Sequence, residues 1–333
     1  MPFSKESNKV VALWLFAVAG MVLVMVVLGG LTRLTGSGLS MVDWRPITGW
    51  LPPFTTESWQ AVFDLYKQSP QYQKINYGMS LAEFQNIFWL EFFHRLWGRI
   101  IGLAFGLPLV YFLMRGWITK SMRLPLIGLF FLGGAQGLLG WYMVKSGLVD
   151  HPEVSQYRLM AHLGFAFVLY AALIWTALCF YRKQYKHNFN LKAVGLWGVS
   201  YITVLAGALV AGLDAGLTYN TFPLMDGELI PTGLYEQVPA YLNHFENITT
   251  VQFQHRVLAI LTFILMTAYF LRHKQERIVQ ISFALITVQV ILGISTLLLV
   301  VPLSLASLHQ TFGLLFFTAV TWLNFEMRHN GNS

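Results

Sequence analysis

The chain has 333 residues, 56% of them hydrophobic, 15% aromatic and only 11% charged, with a formal net charge of +7. So few polar residues cannot cover a water-facing surface, and so much apolar material exceeds the needs of one core. The balance excludes a soluble globular domain and points to an all-α integral membrane protein.

In chain order, eight runs approach the roughly 20 apolar residues that a helical span requires: Val10 to Gly30, Leu96 to Met114, Leu124 to Met143, Leu159 to Phe180, Val194 to Leu213, Val257 to Leu271, Ile278 to Val300 and Leu303 to Leu323. The second, fourth, sixth and eighth helices are expected to reach outward past the strict apolar run, because the stretches around Glu91, Tyr157 and Gln252 hold no Pro or Gly break. Lys5 and Lys9 before the first run imitate a secretory signal. That run is longer than a usual signal core, and cleaving it would break an internal repeat, so it is expected to remain as a span. No Arg-rich amphipathic leader is visible, which makes a bacterial inner membrane the expected home. The lone cysteine, Cys179, can close no intrachain disulfide and reads as a small buried hydrophobe.

Lysine and arginine set the expected orientation. Most of the 22 basic residues fall in alternate connections: Lys5 and Lys9; Arg115, Lys120 and Arg123; Arg182, Lys183, Lys186 and Lys192; Arg272, Lys274 and Arg277; and Arg328. Those connections and both termini are expected on the cytoplasmic side. The stretch from Asp214 to Thr250 carries acids but no Lys or Arg, as a translocated loop should. The positive charge is therefore topology and marks no nucleic-acid patch.

The two halves repeat. Phe93-His94-Arg95 aligns with Gln254-His255-Arg256, the run from Gln136 to Gly140 with that from Gln289 to Gly293, and His162 with His309. With an even number of helices per half, the second half keeps the orientation of the first. The expected architecture is two tandem four-helix bundles, residues 1–190 and 191–333, with no separate soluble domain.

On this frame His94, His162, His255 and His309 all fall near the outward ends of even-numbered helices. One intramembrane histidine can simply bond a neighbouring helix, but four in register at equal depth read as two pairs, each able to clamp a haem iron. One turn further on stand Gly98, Ala166, Ala259 and Gly313, small residues that leave flat space beside a ligand. His151, His187, His244, His273 and His329 have no such frame.

The pairs are chemically unequal. Three residues before His94 stands Glu91, and three before His255 stands Gln252. Glu91 either orients its surroundings by pairing with Arg95 or Arg99, or handles protons and developing charge at the first iron. Arg95, Arg99 and Arg256 are candidates to balance haem propionates or to snorkel outward. The segment from Thr32 to Ser80, rich in aromatics and proline, is long enough to cover the first site or to be a plain connector.

Three segments carry a resemblance: Gly29 to Trp44 (GGLTRLTGSGLSMVDW), Glu91 to Arg95 (EFFHR), and Ala211 to Leu217 (AGLDAGL) with Asn220 to Pro223 (NTFP). Together with the order of the histidines, they resemble the haem A synthase family over nearly the whole chain, in the mitochondrial and alphaproteobacterial branch that lacks an outer-loop cysteine pair. The resemblance implies oxidation of the C8 methyl of haem O to a formyl group with oxygen from water. It implies a resident haem b on His255 and His309, with Arg256 beside it, and substrate haem O flanked by His94 and His162 with Glu91 as the catalytic carboxylate. Haem O synthase, oxidase assembly factors, membrane lipid and a second copy of the chain are the partners it implies. Two other classes share the histidines: a di-haem b electron-transfer cytochrome, and a haem carrier that binds haem O without changing it.

Overall fold

A computed structural model describes residues 5–43, 48–147, 154–182 and 190–329. Trp44, His151, Lys183, Lys186 and His187 lie outside the described residues, as do the side chains of Lys5, Arg328 and His329. The described helices are α1 (Lys5–Leu34), α2 (Thr56–Lys67), α3 (Pro70–Lys74), α4 (Leu81–Met114), α5 (Lys120–Gly147), α6 (Gln156–Tyr181), α7 (Leu191–Gly212), α8 (Asn243–Glu246), α9 (Ile248–His273), α10 (Arg277–Leu298) and α11 (Leu303–His329). Eight of them, α1, α4, α5, α6, α7, α9, α10 and α11, are long and apolar enough to cross a membrane, and the protein is a multi-pass membrane protein.

The helix starts follow local chemistry. A capping box opens α4, with Ser80 Oγ accepting from the Glu83 amide and Glu83 Oε2 accepting from the Ser80 amide at 2.8 Å. Asn190 and Asn247 cap α7 and α9 by accepting from the amide of the third residue of each helix, Ala193 and Thr250. The outward extension expected around Glu91 and Gln252 is present. The eighth span does not share it: Pro302 and left-handed backbone at Val300 and Val301 turn the chain sharply, so α11 starts at Leu303 and instead runs on to His329 at its other end.

Within the first part of the chain α1 packs on α4 and α6, while α5 lies against α4 and α6. In the second part α7 packs on α9 and α11, and α10 lies against both of those. The two groups meet through α6 with α7, α6 with α11, and α1 with α11. Burial follows from that placement: 61% of the most apolar stretch of α6 is covered by protein, against 11% for α5 and for α10, so α6 is central and the other two face lipid.

One apolar core gathers Leu15, Phe105, Phe112, Phe167, Tyr170 and Phe317, and a second gathers Met266, Tyr269, Ile286, Val320 and Leu323. Trp197 touches both. Lipid offers no hydrogen-bond partners, so polar atoms at membrane depth pair between helices: Trp14 Nε1 donates to the Ala104 carbonyl and Trp97 Nε1 to the Met21 carbonyl, each at 2.8 Å. Outside the bundle, α2 and the protruding end of α4 enclose a third cluster of Phe63, Tyr66, Phe84, Phe88 and Phe92. The segment after α1 is thus a folded cap.

Candidate functional site

Every histidine of the two pairs sits on a glycine of a neighbouring helix. A methyl group built at Gly29 of α1 would lie 3.3 Å from His94 Nε2, and one at Gly140 of α5 would lie 2.9 Å from His162 Cε1. In the second half the corresponding distances are 3.0 Å from Gly207 of α7 to His255 Cε1 and 2.8 Å from Gly293 of α10 to His309 Cε1. The first histidine of each half rests on the half's first helix, and the second on its third. His94 and His162 are close enough for their charges to interact, and so are His255 and His309. All four rings stay half-buried rather than packed away.

The donor set suits iron in a macrocycle better than a bare cation. A protein-held zinc takes three or four side-chain ligands, and among the described residues no group of three His, Cys, Asp or Glu converges. Two imidazoles per site, each with a glycine beside its nitrogen-bearing edge, could hold a haem between them. The Nδ1 atoms of His255 and His309 are buried without a hydrogen-bond partner, as is Nε of Arg256. Gln136 donates to the His162 carbonyl at 2.9 Å and lies 3.1 Å from its Nδ1. Gln289 holds the equivalent place in the second half, with its Oε1 buried and unpartnered.

Glu91 is 2% exposed and fully engaged. Its Oε2 accepts from Ser40 Oγ at 2.7 Å and from the Met41 amide at 2.8 Å, and its Oε1 is ion-paired with Arg95. Arg95 in turn donates to the carbonyls of Met41 and Asp43. The second half builds a strap at the same place with the opposite hydrogen-bond polarity. Gln252 donates to the Ala215 and Thr218 carbonyls, and Arg256 donates to Gln252 and to the carbonyls of Tyr219, Thr221 and Leu224. Both loops begin with a left-handed residue, Gly36 or Asp214, followed by a 3-10 turn. In each half the pair therefore straps the loop after the first helix onto the second helix, beside the histidine. Only the first strap contains a carboxylate. Between Glu91 and His94 no direct hydrogen bond forms.

One polar contact joins the two sites. Gln310, next to His309, donates to the Val26 carbonyl of α1 at 2.6 Å, and its amide lies over Gly30, next to the glycine that seats His94. A methyl group at Gly30 would come within 2.4 Å of Gln310 Oε1. Arg33 adds an ion pair to Asp214 at 3.1 Å between the loops of the two halves.

Other candidates from the sequence are placed as follows. Arg99 lies against Trp50, 5.8 Å from the ring, which brings the cap over the first site. His244 contacts Gln254, the residue before His255, and His273 packs against the ring of Tyr269. Of the small residues one turn past each histidine, Gly98 meets Met25 and Gly313 meets Gln289. The seats of the rings are instead the four glycines on neighbouring helices, which residue-by-residue reading missed although two of them end the aligned Gln136 to Gly140 and Gln289 to Gly293 runs.

Fold and site together define a class: a membrane protein with eight candidate spans and two pairs of histidines set at matching places in its two halves. A family model described as cytochrome oxidase assembly protein (COX15-CtaA) matches residues 12–321, and the chain belongs to that family. Similar proteins include the heme A synthase of Nitrosospira multiformis, 50% identical over 96% of this chain and 94% of its own length. The heme A synthase of Nitrosomonas eutropha is 46% identical over 96% of this chain and 94% of its own, and the human heme A synthase COX15 is 45% identical over 98% and 84%.

Proposed function

We propose that the chain is a haem A synthase, an oxidoreductase of a bacterial inner membrane that converts the C8 methyl of haem O into a formyl group with oxygen from water. The observation that carries this reading is the pairing of like histidine sites with unlike straps, Glu91 in one and Gln252 in the other. Turning a methyl and a water into a formyl releases protons and electrons in equal number. A carboxylate is useful where those protons appear, and a site that only relays electrons has no use for one.

In this reading His94 and His162 hold the substrate haem from its two faces, and the glycines behind them fix the ring planes. Glu91, linked to the Ser40 hydroxyl and balanced by Arg95, takes up or passes on protons released beside His94, while its strap keeps residues 40–43 in place. The cap of α2, α3 and the end of α4 limits entry of bulk water. His255 and His309 would hold haem b, and the unpartnered Nε of Arg256 is free to meet a propionate. Haem b, when bound there, supplies one-electron redox chemistry through which electrons leave for an acceptor outside the chain. Both termini lie in the cytoplasm, and the histidines are toward the outer face. The membrane-bound substrate and product favour hand-over from haem O synthase and to oxidase assembly factors.

The test is pigment extraction from membranes expressing this chain together with haem O synthase, followed by chromatography. Haem A is the expected product. Haem B and haem O alone would reject the enzyme reading and leave a di-haem cytochrome or a haem carrier.

A further inference from the structure

The reading of His94 and His162 as a substrate-haem site leaves one matter open: what meets the two carboxylates of that haem. The arginine next to His94 is already committed: Arg95 is spent on Glu91 and two loop carbonyls, and Arg256 stands at the other site, beside His255.

A different cation stands at the mouth of the first site. Arg158 precedes His162 by one helical turn on the same face of α6, toward the end of the helix where the histidines lie. Its guanidinium is half-buried and held 5.0 Å over the ring of Tyr142 on α5, the helix whose Gly140 seats His162. No acid pairs with it among the described residues, although Arg33, Arg95 and Arg182 each have one. Glu246 takes the hydroxyl of the neighbouring Tyr157, at 2.7 Å. The repeat makes the contrast sharp. The alignment that matches His162 with His309 puts Leu305 where Arg158 stands, and that which matches Gly140 with Gly293 puts Ser295 where Tyr142 stands. The cation and its aromatic rest are present at the first site alone.

We infer that Arg158 is a carboxylate-binding residue of the first site, pairing with a propionate of the exchanging haem and setting the selectivity of that site for a dianionic porphyrin. A guanidinium with no acid partner among the described residues, at the edge of a membrane site, gains a charge-assisted, bidentate partner when the substrate enters. A site that must capture and release its haem repeatedly benefits from such a handle at its mouth, whereas a site that keeps its haem does not.

The experiment uses the purified full-length protein with its resident haem in place, titrated with iron protoporphyrin IX or with its dimethyl ester, following the six-coordinate spectrum. For the wild type, the diacid should bind the first site about tenfold more tightly than the ester. Arg158→Leu, which installs the second-half residue, should weaken diacid binding about tenfold and leave ester binding unchanged, and Arg158→Lys should recover part of the loss. Equal diacid affinity in wild type and Arg158→Leu, or equal affinity of the wild type for diacid and ester, overturns the assignment while leaving the site itself standing. If the wild type takes up no second haem, the two-site reading falls and the assignment falls with it.

Discussion

Replacing Gly293 by alanine separates the seat of a histidine from the stability of its helix. The added methyl would lie 2.8 Å from His309 Cε1, and ordinary contact begins at 3.4 Å, so the ring or α10 must move by about 0.6 Å. Overpacking of this kind costs about 1–3 kcal/mol. Alanine meanwhile favours the helix over glycine by about 1 kcal/mol, so the variant should fold and insert normally. The strain therefore falls on the ring that grips the cofactor, and at about 1.4 kcal/mol per factor of ten the resident haem should be held roughly 5- to 100-fold more weakly. Haem-to-protein stoichiometry after washing in detergent, with the visible spectrum, reads this directly. The same change at Gly140, Gly207 and Gly29, where the distances are 2.9, 3.0 and 3.3 Å, should give progressively smaller effects, with Gly140 and Gly29 acting on the first site. Wild-type retention and spectrum in Gly293→Ala would show that His309 does not depend on that seat.

Two further outcomes follow from the straps and the bridge. Glu91→Gln should leave haem uptake at both sites close to normal, because the amide oxygen can still accept from Ser40 Oγ and the Met41 amide, while haem A formation falls by about a hundredfold or more, the contribution of one general acid or base; conversion at the normal rate would remove Glu91 from the chemistry. Gly30→Ala should disturb both sites at once by displacing Gln310, and adding Gln310→Ala should restore much of the lost haem binding. Additive losses in that double variant would mean that Gly30 matters for some other reason.

The eight spans, the repeat and the four histidines are legible from the chain because each is a local or periodic signal: apolar runs of bilayer length, and histidines at a fixed depth in them. The end of α11 departs from the pattern for an equally local reason, Pro302. What the sequence does not disclose is mostly long-range. Glu91 meets Ser40 and Met41 across a separation of about fifty residues, and nothing near either position announces it. The glycine seats belong to other helices than the rings they carry, so inspection along one helix picked Gly98 and Gly313, which face Met25 and Gln289. The short helices of the cap had readable starts in Thr55 and Ser69, but their apolar residues serve an aromatic cluster outside the membrane, and hydropathy alone passes over them.

The unequal jobs of the two pairs are the centre of this account, and the visible spectrum of purified His309→Ala beside His94→Ala tests them most directly. His309→Ala should lose the resident haem b signal, and His94→Ala should keep it while failing to make haem A. Loss of the resident haem in His94→Ala, with its retention in His309→Ala, would reverse the assignment of substrate and cofactor sites.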